Sequence, residues 1–317
     1  MKFVELYRRF RKLNQLENPE ETALESYTAS LLGIESGLGW GELLKRPLVV
    51  VLGEPGSGKT WEFRERARML RARGENTFLI PLDRLISEPL TGILSPEENK
   101  MFRVWLRNGE DAIFFLDSVD EAKYQRTSDF LVALDRFRNS IGSNNLMRIR
   151  LIVSSRISEW RPQSDEDELT SRFPQPLLFK SEKQNTDADD FDDKSENPEG
   201  ILVVQIEPLD RSRVERFTRE LKINDPTAFI QALDEKHAWP FARRPIDVID
   251  LLNYWNEHQK LGSLTDLIEH DLNQKLKEPS APYLKYYIKC WQDRISLYFD
   301  NIIHNRKQFQ SLLLLFP

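Results

Sequence analysis

The sequence has a single cysteine, Cys290, among its 317 residues. One cysteine cannot form an intramolecular disulfide, and its isolation excludes a cysteine-rich metal site. Structural disulfides belong to oxidising compartments, so this composition fits a reducing compartment. We therefore expect a cytoplasmic protein.

Long apolar runs are also lacking. No stretch approaches the roughly 20 apolar residues that span a bilayer, and the charged start of the chain does not fit a secretory signal. We therefore expect neither export nor a membrane partner. The apolar run at 312–316 is too short to span a membrane, and because such side chains need covering we expect the natural protein to continue further.

An excess of positive charge is missing as well. The chain has 45 Lys and Arg against 51 Asp and Glu, a net charge of −6. Sequence-independent nucleic-acid binding needs a basic surface, so a nucleic-acid partner is not expected beyond a local basic strip. With 40% hydrophobic residues, a chain of this length predicts a globular protein of about two domains.

Apolar runs that alternate with helical patterns occupy the middle of the chain. The runs predict strands at 47–52, 77–82, 112–116, 149–154 and 201–206. Three helical patterns separate these strands. They lie at 60–73, in the segment that begins at the expected N-cap Ser95, and at 127–140. Strands separated by helices of this length predict a parallel sheet with helices on both faces, which is an α/β fold.

Three further regions complete the predicted domain organisation. Apolar residues at 3, 6, 7, 10 and 13 predict a helix in an N-terminal extension, residues 1–45. The sheet domain covers 46–210, and its acidic interruption at about 162–200 predicts a flexible solvated loop, with an acidic docking segment as the alternative. Residues 211–317 form an all-helical domain in this prediction. Its helical patterns lie at 212–221, 226–235, 245–258, 264–276 and 283–299.

A glycine-rich segment at 53–60 joins the first of these predicted strands to the next helix, and we call it the P-loop. It fits the pattern G-x-x-x-x-G-K-[ST], in which main-chain N–H groups surround phosphate oxygens. Lys59 would reach the β and γ phosphates, and the hydroxyl of Thr60 would bind Mg²⁺. We therefore predict an ATP or ADP site here, the alternative being a glycine turn without a ligand. The predicted nucleotide-binding residues are Gly53, Glu54, Pro55, Gly56, Ser57, Gly58, Lys59 and Thr60.

Three acids follow the apolar strand at 112–116. Because this strand end should lie at the same sheet edge as the P-loop, we predict that Asp117 holds Mg²⁺ directly or through water. Asp120 or Glu121 would orient or deprotonate the attacking water. We favour Glu121 as the base with Asp120 as its helper, over the reverse. Three surface acids at a strand end are the alternative.

Polar side chains also end the strand at 149–154. If this strand lies between the P-loop strand and the Asp117 strand, Ser154, Ser155 or Arg156 would come near the γ-phosphate. Arg156 would then sense or stabilise developing charge, and a structural salt bridge is its alternative role.

Together these motifs resemble a known family. The segments at 53–60, at 115–121 (Phe-Leu-Asp-Ser-Val-Asp-Glu) and at 153–156 (Val-Ser-Ser-Arg) resemble the NACHT branch of the STAND NTPases, signal-transduction ATPases related to AAA+ proteins. The resemblance spans about 40–252. It implies a switch that is closed with ADP and oligomeric with ATP, and for bacterial members a place in antiphage defence.

The resemblance also implies partners and two further nucleotide contacts. Only about 46 residues precede the first predicted strand and no repeat-type sensor follows, so an effector or sensor would come from a partner or from missing domains. The family's loop before the first strand touches adenine, which implies Trp40, although core or lid packing explains this residue too. A family proline that contacts the nucleotide corresponds to Pro245, which a helix start explains equally well.

Three functions remain open from the sequence. The first is a slow, Mg²⁺-dependent ATPase that acts as a switch and forms homo-oligomers with ATP. The second is a scaffold that holds nucleotide without turnover. The third is an AAA+-like remodelling ATPase, for which Arg243 and Arg244 are the candidate trans-acting arginines. None of the four histidines receives a role.

Overall fold

The computed structural model describes residues 3–13, 37–117, 127–173, 200–263 and 266, and all structural statements concern these residues. They form one six-stranded sheet with the order β1-β6-β2-β5-β4-β3. The strands are β1 (Phe10–Lys12), β2 (Leu48–Leu52), β3 (Thr77–Pro81), β4 (Ala112–Asp117), β5 (Ile149–Ser155) and β6 (Leu202–Ile206). β1 runs antiparallel to β6, and the other neighbouring pairs are parallel. The predicted α/β fold is confirmed.

Helices surround this sheet and continue beyond it. The helices of the described residues are α1 (Trp40–Leu43), α2 (Lys59–Ala72), α3 (Leu82–Leu85), α4 (Leu90–Ile93), α5 (Pro96–Asn108), α6 (Thr127–Ile141), α7 (Pro162–Arg172), α8 (Arg211–Glu220), α9 (Pro226–Glu235) and α10 (Pro245–His258). Ser95 caps α5 as predicted: its hydroxyl accepts from the Glu98 N–H at 3.2 Å, and the Glu98 carboxylate accepts from the Ser95 N–H at 3.0 Å.

The central strands are buried on both faces, which explains their continuous apolar sequences. Alternate residues of a strand point to opposite faces, so Val50 belongs to one core and Val51 to the other. Helices α3 to α7 contribute side chains to the first core, and α2 contributes Phe63 to the second. The result is a sheet between two helical layers.

The predicted N-terminal helix is wrong. Residues 3–9 form no helix, and Phe10–Lys12 is the edge strand β1, paired with β6 so that Phe10 lies opposite Ile206. Burial alternates along this segment, with Leu6, Arg8 and Phe10 inside and Tyr7 outside. The exposed N–H and C=O groups of β6 offer backbone hydrogen bonds that override the helical spacing.

The predicted flexible interruption at 162–200 is wrong in its first part. Pro162–Arg172 is helix α7, with Pro162 as its first residue. Leu169 is buried in the first core, and Asp165 accepts a hydrogen bond from the Arg161 N–H at 2.8 Å. The apolar contacts of Leu169 hold this helix on the core, although the acidic residues of the segment had predicted a solvated loop. The remainder, 174–199, lies outside the described residues.

The chain divides into two compact units, Met1–Pro208 and Leu209–Pro317. The sheet belongs to the first unit, and β1 therefore joins the N-terminal segment to it. In the second unit, the described residues contain helices α8 to α10 and no strand. The helices predicted at 264–276 and 283–299 fall outside the described residues. Among the residues described, no helix is both long and apolar enough to cross a bilayer.

Candidate nucleotide-binding site

The P-loop connects β2 to α2 through backbone conformations that favour glycine. Gly56 has φ 74° and Gly58 has φ 93°, both in the left-handed region where a Cβ atom is strained. Gly58 is the N-cap of α2, so the loop ends where the positive end of the helix dipole begins. This arrangement suits a bound anion.

Gly53 is required for a different reason, which is close packing. A Cβ atom at this position would lie 2.5 Å from Cγ2 of Ile206 and 2.8 Å from Oγ of Ser57. Ser57 is buried, and its hydroxyl has no hydrogen-bond partner among the described residues. An unpaired buried hydroxyl costs about 1–3 kcal/mol, and a phosphate oxygen would supply its missing acceptor. The residues present therefore fit a polyphosphate.

The cation of the loop lies over its carbonyl groups. Lys59 Nζ donates to the Gly53 carbonyl at 2.7 Å and to the Glu54 carbonyl at 3.3 Å. Its ammonium group is thus held across the loop, where phosphate oxygens can also reach it. Thr60, the second residue of α2, is exposed, so its hydroxyl is accessible to a metal ion.

Asp117 lies at the same sheet edge and accepts a short hydrogen bond from the neighbouring strand. Ser154 Oγ donates to Asp117 Oδ1 at 2.5 Å, and both side chains are buried. β5 lies between β4 and β2, with Ser154 opposite Val51. The P-loop begins there, since the Gly53 N–H donates to the Ser155 carbonyl at 3.2 Å. Two strand spacings, about 10 Å, therefore separate the Asp117 strand from the P-loop strand.

This strand order confirms the condition on which the roles of 154–156 depended. Arg156 follows β5 directly and caps a short 3-10 turn, Ile157–Glu159. Its contact with a γ-phosphate stays a prediction. Asp120 and Glu121 lie outside the described residues, so their roles as helper and base stay predictions too. Among the residues that are described, no three or more His, Cys, Asp or Glu side chains lie together so that they could hold a metal ion. Thr60 and Asp117 stay the residues predicted to hold Mg²⁺.

Trp40 is a core residue. Only 6% exposed, it packs edge-to-face against Phe10, Phe63 and Phe115. Its indole N–H donates to Glu62 at 3.0 Å. The burial favours core packing, the alternative given from the sequence, over the adenine contact implied by the family resemblance.

Pro245 and its arginine neighbours belong to the second unit. Pro245 is the first residue of α10, as its alternative explanation required, and its contact with a nucleotide stays a prediction. Arg244 is 8% exposed and makes two hydrogen bonds of 2.9 Å to the carboxylate of Asp247. A side chain engaged in this way is already paired within its own chain, so the candidacy of Arg244 as a trans-acting arginine is not supported.

The sequence interpretation missed two charged residues beside the P-loop. Arg8 is 3% exposed and donates to the Ser57 carbonyl at 2.8 Å and to the Glu207 carbonyl at 2.5 Å. Glu62 is 4% exposed, and burial raises the pKa of its carboxyl above the usual 4.5, partly offset by Arg8 and by the Trp40 hydrogen bond. For Arg8, the only sequence signal was a charged residue among the apolar residues of the N-terminal segment. The helical spacing of those apolar residues obscured it.

Comparisons with known proteins give only distant structural similarities. No family model and no curated protein matches the chain. Among solved structures, the replication initiator DnaA bound to AMPPCP and single-stranded DNA is similar with a TM-score of 0.42 and 15% identity over 86% of this chain and 72% of that one. A Walker-type ATPase of Pyrococcus abyssi gives 0.39 and 14%, over 84% and 76%. The S. cerevisiae Hsp104-ADP complex gives 0.38 and 13%, over 87% and 40%.

These neighbours are AAA+ P-loop ATPases, and the likeness is distant. The class of this chain follows from its own strand order and its P-loop: it has a P-loop NTPase fold, with β5 inserted between the P-loop strand and the Asp117 strand. The resemblance to NACHT proteins stays a prediction from the sequence.

Proposed function

We propose that the chain binds ATP with Mg²⁺ at the P-loop and hydrolyses it slowly. The observation that carries this proposal is the loop itself, in which Gly53 leaves no space for a Cβ atom and Lys59 spans the carbonyls. A merely structural turn does not require a lysine held across its mouth or a buried hydroxyl without a partner. Both are expected where main-chain amides and an ammonium group enclose phosphate.

Each residue then has a definite task. Lys59 binds the β and γ phosphates, while Thr60 and Asp117 hold the metal, which when bound neutralises charge that develops on the phosphate oxygens. The bond from Ser154 orients the carboxylate of Asp117. Glu121 accepts a proton from the attacking water, with Asp120 as its helper, and Arg156 stabilises the charge on the γ-phosphate.

We further propose that hydrolysis serves a switch and not a continuous motor. The support is the sequence resemblance to NACHT-type STAND proteins together with Arg244, whose pairing with Asp247 removes one of two candidates for the arginine that a motor needs. In this proposal, the ATP state forms homo-oligomers and passes a signal to an effector or sensor, as in bacterial antiphage defence.

Phosphate release from ATP, measured with and without Mg²⁺, tests the proposed activity. We expect slow, Mg²⁺-dependent turnover that is lost in Lys59→Ala and kept in Lys100→Ala, which removes an exposed lysine of α5. Glu121→Gln should lose turnover and still bind nucleotide. Full turnover in the Lys59 variant would overturn the proposal, and loss in Asp120→Asn alone would reverse the roles of the two acids.

A further inference from the structure

A buried arginine from the N-terminal segment connects the P-loop to the end of β6. The two terminal nitrogens of Arg8 donate to carbonyls on different elements, Ser57 in the loop and Glu207 directly after β6. A guanidinium group suits this task because its donors form a rigid planar fork, whereas a lysine ammonium cannot reproduce that geometry.

The bond to Ser57 constrains the part of the loop with the greatest backbone freedom. Ser57 stands between Gly56 and Gly58, which both have positive φ. In a planar trans peptide, the carbonyl and the next N–H point in opposite directions, so holding the Ser57 carbonyl towards Arg8 turns the Gly58 N–H away from it. Loop amides of this kind bind phosphate in the G-x-x-x-x-G-K-[ST] pattern.

The segment that carries Arg8 is attached on both sides of the loop. On one side, the Glu207 N–H donates to the Arg9 carbonyl at 2.9 Å, and β1 pairs with β6. On the other side, Glu5 forms a 3.3 Å salt bridge with Arg66 of α2. Residues 5–12 therefore contact two elements: β6, which lies beside the P-loop strand β2, and α2, the helix that follows the loop.

Charged groups of both signs lie together in this region. Arg8 is buried near the carboxyl of Glu62, and the groups that act on Glu62 also include Glu5 and Arg66. A buried cation is screened by salt much less than an exposed one, so Arg8 contributes to the electrostatic potential at the loop over the whole physiological range of ionic strength.

We propose that Arg8 is a positioning residue for the P-loop and that, through it, bound nucleotide and the docked segment 5–12 stabilise each other. The inference rests on the proposed function. Coupling between two sites is reciprocal, so a residue that helps the loop bind phosphate must also dock more firmly when phosphate is bound.

Nucleotide affinity in three variants tests the proposal. Arg8→Met removes the charge and both bonds, Arg8→Lys keeps the charge, and Glu5→Gln weakens the other attachment of the same segment without touching the loop. With ADP and Mg²⁺ at a temperature where each variant is folded, Arg8→Met should bind about tenfold or more weakly, which is the effect of losing a hydrogen bond from a charged donor. Arg8→Lys should lie in between, and so should Glu5→Gln, because it weakens the docking of the segment and leaves both Arg8 bonds in place.

The outcomes separate this inference from the proposed function. If the wild type binds ADP and Arg8→Met binds equally well, the role of Arg8 is refuted while the proposed function stands. If the wild type does not bind, the proposed function fails and this inference with it. Should Arg8→Met not fold, amide exchange of the wild type decides: ADP should slow exchange in 9–13, and it should have no effect in Lys59→Ala. Equal exchange with and without bound ADP would overturn the coupling.

Discussion

Ser154 and Asp117 form the contact that relates the acidic strand end to the P-loop. The hydroxyl of Ser154 is buried and donates to the carboxylate at 2.5 Å, while its own strand borders the P-loop strand. This hydrogen bond restricts the orientation of the Asp117 carboxylate. If Asp117 holds Mg²⁺ as proposed, Ser154 orients it in the way that outer residues of metal sites do.

Replacing Ser154 should therefore affect magnesium more than folding. In Ser154→Ala, we expect the Mg²⁺ concentration for half-maximal turnover to rise about tenfold or more, as for other residues that support a metal ligand. Ser140→Ala is the matched control, because its hydroxyl donates to the Arg136 carbonyl at 2.8 Å near the C-terminal end of α6 and has no part in the proposed site. An unchanged Mg²⁺ dependence in Ser154→Ala, measured by phosphate release, would refute this role.

Residues with a conformational or pattern signature could be predicted from the sequence, whereas residues that act through long-range contacts could not. Gly56, Gly58 and Lys59 stand in a motif whose geometry is local, so their placement follows from a short stretch of chain. Arg8 and Glu62 come together only because β1 pairs with β6. No spacing within either segment indicates that contact.

The N-terminal segment shows at the scale of an element how an edge strand can replace a predicted helix. Its apolar residues fit a helical spacing, yet the structure buries Leu6 and Phe10 and leaves Tyr7 61% exposed. A helix would have placed all three on one face. The hydrogen bonds available along β6 favour the extended form, and the Leu13 N–H continues them by donating to the Val203 carbonyl at 3.0 Å.

Two aromatic substitutions distinguish the strand from the helix. Phe10→Ala should lower the free energy of unfolding by about 3–5 kcal/mol, because Phe10 is fully buried against Trp40. Tyr7→Ala should change it by less than about 1 kcal/mol, because its ring is mostly in solvent. Denaturant unfolding of both variants measures the difference. Similar losses for the two would support the amphipathic helix and contradict the strand.

Elements with strong apolar patterns were predicted well because a run of consecutive apolar residues indicates a strand that is buried on both faces. β2 and β4 are buried on both faces and read as continuous apolar runs. Helix α7 was not predicted, since its sequence is mostly polar and only a few side chains such as Leu169 attach it to the core. Tertiary contacts decide such weakly patterned segments.

At the scale of the whole molecule, the chain joins a sheet-containing unit, Met1–Pro208, to a second unit, Leu209–Pro317. Alternation of strands and helices was sufficient to predict the class of the first unit. The alternation did not fix the order of strands. The sequence placed β5 between β2 and β4 only as a condition, and the structure meets that condition.

The proposed switch makes a prediction about assembly. With a non-hydrolysable ATP analogue and Mg²⁺, the purified chain should elute in size-exclusion chromatography as a larger species than it does with ADP, since the ATP state is proposed to form homo-oligomers. Lys59→Ala should elute identically in both conditions. An identical elution of the wild type with ADP and with the analogue would contradict the switch and favour a scaffold that holds nucleotide without turnover.

Calorimetric titration of the chain with a non-hydrolysable ATP analogue tests whether the P-loop encloses a polyphosphate. We predict binding of one analogue per chain, strengthened by Mg²⁺ and lost in Lys59→Ala, whose thermal unfolding should otherwise resemble that of the wild type. Absence of binding to the folded wild type, or equal binding by the Lys59 variant, would show that the P-loop is not a nucleotide site.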